Sequence, residues 1–151
     1  MKISNFILTS LIILVVSCDK DKRTTRNSTD NMTIVYGNVC GWCGYDSLTI
    51  TQNITTLSGQ NYCSSEELNK TSTTHDTTWT DLTSSLDFQK FKAIDLNTCN
   101  VCVDGCDTWI TIRTDSYYHK IRYGYDDMDK LKSIKSFIDE LNKIQLSMNP
   151  K

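Results

Sequence analysis

From residue 32 onward, apolar and polar positions alternate in short runs, and near the end of the chain the pattern changes to a helical period. Residues 32–36 (Met-Thr-Ile-Val-Tyr) are β-branched and aromatic and stop at Gly37, which predicts a strand. Residues 45–52 alternate with Leu48 and Ile50 on one side, and 53–59 supply a hairpin partner. The polar stretch 61–77 predicts a loop stapled by Cys63, with one helical turn at 64–68. Asp76 predicts the cap of a helix over 77–85, in which Trp79, Leu82 and Leu86 recur at helical spacing. A second short helix is expected over 87–94. Residues 108–113 and 117–123 read as two strands joined by Asp115-Ser116, a turn pair, and form the clearest hairpin in the chain.

Asp126 or Asp127 then caps a helix running to about residue 146. Leu131, Ile134, Phe137, Ile138, Leu141 and Ile144 make its apolar stripe, and Lys130, Lys132, Asp139, Glu140 and Lys143 fill the opposite face. Strands need a cover, and this stripe supplies one. The order of strands, helices, hairpin and helix predicts an α+β domain: an antiparallel sheet with a C-terminal amphipathic helix packed on it.

The first 31 residues follow other rules. Lys2 precedes an apolar run of 11 residues from Phe6 to Val16, well short of the roughly 20 needed to span a bilayer. A basic start, an apolar middle and a small residue before a cut describe a secretory signal. Its ending, Val15-Val16-Ser17-Cys18, resembles a bacterial lipobox. That resemblance implies cleavage before Cys18, lipid on its sulfur and acylation of the new N-terminus, as in other lipid-anchored envelope proteins. The expected layout is a signal peptide over 1–17, the lipidated Cys18 and a solvated tether over 18–31, and a single domain over 32–148. Between Cys18 and Met32 no apolar residue occurs, so this stretch has nothing to bury. The mixed charges after Cys18 leave open whether the domain faces the periplasm or the cell surface.

Export changes the meaning of the cysteines. Without Cys18 there are six: Cys40, Cys43, Cys63, Cys99, Cys102 and Cys106. An even count in an exported domain predicts disulfides, and six cysteines permit fifteen pairings. Two clusters stand far apart, Cys40-Gly41-Trp42-Cys43 and the stretch from Cys99 to Cys106, and at least one bridge is expected to join them. Two other chemistries use the same spacing. A thiol-redox site would resemble thioredoxin-like proteins in its C-x-x-C, but the residues after Cys43 alternate like a strand, and the only proline is Pro150. A zinc site could use both C-x-x-C pairs, though the gap between them is long and two cysteines would be left over. No cofactor or metal site is therefore expected.

Sixteen basic and eighteen acidic residues give a formal net charge of −2, which offers no footprint for nucleic acid. No nucleophile elbow, H-E-x-x-H pair or phosphate-cradling glycine loop is present, so no enzyme is expected. His75 and His119 read as lone surface histidines. Candidate binding residues are the aromatics Trp109, Tyr117, Tyr118 and Tyr123, with Tyr125 beside them, because tyrosine and tryptophan concentrate at interface hot spots. Trp42, held between Cys40 and Cys43, either projects from a rigid knot or roofs the core.

Tyr36-Gly37, Cys40 and Cys43 before Tyr45-Asp46-Ser47-Leu48-Thr49-Ile50, the Trp79 helix, Phe88 and Phe91, Cys99 and Cys102 with Asp104-Gly105, Trp109-Ile110-Thr111-Ile112 and the His119 strand together resemble a family of small Bacteroidetes lipoproteins classed as a domain of unknown function. The resemblance implies a fold and a compartment, with no activity or site attached. The expectation is a non-catalytic binding or scaffolding module of the bacterial cell envelope. Its partners would be the membrane, through lipid at Cys18, and an envelope protein or glycan. The alternative is a cysteine-based metal-binding or thiol-redox protein.

Overall fold

A computed structural model describes residues 31–63 and 65–149. The expected signal peptide, Cys18, the expected tether apart from Asn31, and residues 64, 150 and 151 lie outside the described residues. Six antiparallel strands form one sheet: β1 (Thr33–Cys40), β2 (Gly44–Ile50), β3 (Ile54–Asn61), β4 (Glu66–Thr73), β5 (Cys106–Arg113) and β6 (Tyr118–Tyr123), in the spatial order β4-β3-β2-β1-β5-β6. Helices α1 (Asp76–Ser85) and α2 (Phe88–Lys92) follow β4, a 3-10 turn (Asn100–Val103) precedes β5, and a 3-10 helix (Tyr125–Ile134) leads into α3 (Lys135–Met148). The fold is α+β, with the C-terminal helical segment packed on the sheet.

Strand periodicity sorts the side chains into two faces. Ile34, Tyr36, Leu48, Ile50, Leu57, Ile110, Ile112, Ile121 and Tyr123 point to the covered face and are buried. Leu131, Ile134, Phe137, Ile138, Leu141 and Ile144 close over them, joined by Trp79, Leu82 and Phe91 from the shorter helices. The stripe anticipated from sequence is thus the stripe that is buried. The opposite face carries a row of Thr71, Thr56, Thr49, Val35, Thr111 and Lys120, one from each strand. None of these six is buried. On that face Trp109 lies across Gly37, where an added Cβ would collide with the indole ring. Lys120 Nζ sits 5.6 Å from the ring centroid.

Three local expectations are corrected. The stretch read as a loop with a helical turn at 64–68 contains β4, an edge strand paired along its whole length with β3. An edge strand can do without an apolar run, because its backbone pairs with β3 on one side and meets water on the other. At α1 the N-cap is His75, and Asp76 is the first helical residue. The final helix does not start as an α-helix: ten residues from Tyr125 are 3-10. Asp127 caps this segment by accepting from the Gly124 N–H at 3.1 Å, and Lys130 donates to it at 2.7 Å. These two contacts, the lysine first, hold the Asp127 carboxyl below the usual range.

The free edge of β6 is covered in part by the chain just before the second cysteine cluster. Arg122 N–H donates to the Leu96 carbonyl at 2.8 Å, and Thr98 N–H to the Arg122 carbonyl at 3.0 Å. This short parallel pairing occupies backbone groups that would otherwise offer a template to another strand.

Candidate functional site at the disulfide end of the sheet

Every described cysteine is bridged, and all three disulfides gather at one end of the sheet. Cys40 joins Cys106 across directly opposed positions of β1 and β5, Cα atoms 4.2 Å apart, and so links the two clusters. Cys43 joins Cys63, tying the β1–β2 turn to the β3–β4 turn. Cys99, which precedes the 3-10 turn, joins Cys102 within it. Backbone bonds support the staples: Gly41 N–H donates to the Gly105 carbonyl at 3.3 Å, and Tyr62 N–H to the Cys43 carbonyl at 3.2 Å. Three loops, 41–43, 61–63 and 99–105, therefore form one contiguous end.

A buried carboxylate holds the third loop in place. Asp107 is 1% exposed. It accepts from the backbone N–H groups of Asn100 and Val101 at 3.0 Å each, from Asn100 Nδ2 at 3.1 Å, from Thr98 Oγ1 at 3.2 Å and from Arg122 Nη2 at 2.8 Å. Burial pushes its pKa up, but the Val101 and Asn100 amides, the Arg122 charge and the Thr98 hydroxyl together outweigh it and hold the carboxyl below its usual range. The same bonds bear on redox chemistry. The two amides that follow Cys99 already serve Asp107, so they are not free to stabilise a thiolate there.

On this scaffold stand large apolar side chains that the core does not use. Trp42 is 73% exposed, Tyr62 57% and Val103 79%, each on one of the three stapled loops, and Tyr45 is exposed at the start of β2. Exposed aromatics on loops that cannot relax are suited to binding, because little conformational freedom remains to be lost on association.

Behind this rim the covered face of the sheet turns polar. Asp46, Asn38, Thr108 and Tyr123 occupy one row across β2, β1, β5 and β6. Thr108 Oγ1 donates to Asn38 Oδ1 at 2.8 Å, and Asn38 Nδ2 donates to Asp46 Oδ1 at 3.0 Å. From α3, Gln145 Nε2 donates to the same Asp46 oxygen at 2.8 Å, and Asn142 Oδ1 accepts from the Tyr36 hydroxyl at 2.6 Å. Burial pushes the Tyr36 hydroxyl up to about 12, against a smaller opposing effect of the Tyr123 hydrogen bond, and burial pushes Tyr123 further still. Both remain neutral donors. Between this row and the disulfides lies an open cleft of about 260 Å³, lined by residues that include Asn38, Cys43, Tyr45, Asp46, Asn61 and Asn149.

The candidates read from sequence divide. Trp42 is on the surface at the stapled end. Tyr118 is exposed too, but at the opposite end, where Arg113 pairs with it. Trp109 is half-buried on the open face. Tyr123 is a core residue, and Tyr117 is half-buried with its ring 4.5 Å from Phe88. Strand parity explains Tyr123, which lies two residues beyond Ile121. His119 is half-buried as well, its Nε2 2.9 Å from the Ile94 carbonyl. Tyr45, Tyr62, Asn38 and Asp46 were missed, although parity marked the last: Asp46 precedes Leu48 and Ile50 on the apolar side of β2.

Cys40 and Cys43 belong to different bridges, so the first C-x-x-C is not a dithiol pair. Among the described residues, no three His, Cys, Asp or Glu side chains converge as a metal site would require. No helix among them is long and apolar enough to cross a membrane. No family model matches the chain, and no curated protein matches its sequence.

Proposed function

We propose that the chain is a lipid-tethered, non-catalytic binding module of the bacterial cell envelope, engaging an envelope protein or glycan through its disulfide-stapled end. The observation that carries this reading is the coincidence of three disulfides with Trp42, Tyr62 and Val103, all exposed. The direction of β1 agrees with it. This strand enters at Thr33, just after the expected tether, and ends at Cys40. Eight residues of strand put the stapled end about 25 Å from the entry point, so a domain anchored at Cys18 would present that end away from its attachment.

Cysteine chemistry is the second reading, favoured by one observation: Cys99 and Cys102 are both exposed and form their own C-x-x-C disulfide. The engagement of the following amides by Asp107 weighs against it.

Site-specific photo-crosslinking in living cells tests the binding reading. A photoreactive residue at Trp42 or Tyr62 is expected to give adducts that the same residue at Thr56 or Thr71, on the threonine row, does not give. Equal yields at both places, or a silent tip, would contradict it.

A further inference from the structure

We propose that the cleft beside the Cys43–Cys63 bridge is a subsite for a single sugar residue, with Asp46 accepting a hydrogen bond from a ligand hydroxyl. This rests on the binding-module reading and narrows its ligand to a glycan. Asp46 is half-buried on the covered side of β2, yet among the described residues no cation pairs with it. Its Oδ1 accepts from two amides, Asn38 Nδ2 and Gln145 Nε2, and no donor among the described residues reaches Oδ2. Oδ2 keeps solvent contact, and a solvent-reached carboxylate oxygen with no protein donor is an open acceptor.

The acceptor is also aimed. Thr108 orients Asn38, Asn38 and Gln145 orient the carboxylate, and each of these three stands on a different element of the fold. The wall beside it is fixed at Gly44, whose φ of +102° and closeness to the Gln60 carbonyl admit no side chain. At the far side Asn149 lines the cleft, and Lys70 Nζ donates to its Oδ1 at 3.3 Å. One carboxylate with one ammonium nearby gives no net charge to select an ion. What remains is a set of amide and carboxylate groups suited to a neutral ligand rich in hydroxyls.

Size and surroundings agree. The cleft measures about 260 Å³, near the lower limit of roughly 300 Å³ for drug-sized sites, so it suits one ring and not a chain. A longer glycan would continue over the rim, where Tyr45 and Trp42 offer exposed aromatic faces. Sugar rings present C–H groups that pack on such faces while their hydroxyls turn to the polar side.

The test is titration of the full chain in detergent, disulfides intact, with methyl glycosides of hexoses and N-acetylhexosamines, followed by saturation-transfer NMR. At least one glycoside is expected to receive saturation, with millimolar affinity. Asp46→Asn should weaken it at least tenfold and Asn149→Ala should weaken it as well, while Thr56→Ala on the open face leaves it unchanged; thermal unfolding confirms that each variant is folded. Silence across the panel, an affinity within twofold of wild type for folded Asp46→Asn, or binding of lysine methyl ester in place of any glycoside would overturn the proposal. Crosslinking from Trp42 and Tyr62 that persists while every sugar is silent would leave the binding module standing and remove only the sugar subsite.

Discussion

Replacing Cys40 and Cys106 together by serine is expected to lower the unfolding free energy by about 4 kcal/mol, the largest loss from opening any one bridge in this domain. The reason is chain length. This bridge spans 66 residues, against 20 for Cys43–Cys63 and 3 for Cys99–Cys102. In the chain-entropy account the stabilisation grows with the logarithm of the loop, giving about 4, 3 and 2 kcal/mol in that order. Neither Cys40 nor Cys106 is buried, so serine hydroxyls at both places reach water and add no orphaned polar group. Urea unfolding without reductant measures the series. Equal losses for the 66-residue and 3-residue bridges would contradict the account, since entropy of the unfolded chain would then not be the governing quantity.

Asp107→Ala is expected to cost about 3 kcal/mol, toward the low end for breaking a buried pair. Removing the carboxylate leaves two backbone amides without their acceptor and Arg122 without its partner. Arg122 keeps 24% of its side chain in solvent and can turn outward, which limits the loss. The pH dependence carries the same signature. Because the folded pKa lies below the unfolded one, the contribution is complete above the unfolded carboxylate value of about 4. It fades as pH falls through the folded value. The gap in urea midpoint between wild type and Asp107→Ala should therefore be widest near neutrality and close progressively below about pH 4. A gap that stays constant down to pH 2 would show that Asp107 acts through shape alone. Asp127 is depressed as well, mainly by Lys130 and the Gly124 amide, which both proteins share; only the smaller raising effect of the Asp107 charge on it differs between them.

Most of the sheet was legible from alternation, because one side of each inner strand must match the helices that cover it. Leu48 and Ile50 in β2 and Ile110 and Ile112 in β5 announce that side directly. β4 was not legible, since an edge strand of Glu, Lys, Asn, Ser and Thr with Leu68 as its single apolar residue satisfies its backbone without an apolar face, and such composition reads as loop. The opening of the last helical segment was signalled faintly: Leu131, Ile134 and Phe137 recur every third residue, the period of a 3-10 helix, before the spacing shifts at Ile138 and Leu141.

The site was less legible than the fold. Disulfide pairing depends on which strands are neighbours, and the adjacency of β1 and β5 across more than sixty residues is a property of topology. The binding rim is scattered for the same reason. Trp42, Tyr62 and Val103 lie in three separate turns that strand pairing and the bridges bring together. Aromatic clustering in sequence pointed instead to Tyr117 and Tyr123, where alternation along β6 and the contact with Phe88 draw the rings toward the core.

The central claim is an exported domain whose six cysteines are staples and whose seventh carries lipid. Peptide mapping by mass spectrometry, without reduction and with free thiols alkylated, tests it on protein taken from native envelopes. The expected result is the pairing Cys40–Cys106, Cys43–Cys63 and Cys99–Cys102, no alkylated thiol, and an N-terminal Cys18 bearing acyl and diacylglyceryl mass. An unmodified Cys18 within an uncut leader, with alkylated thiols or retained zinc among the other six, would contradict the account and favour metal or redox chemistry.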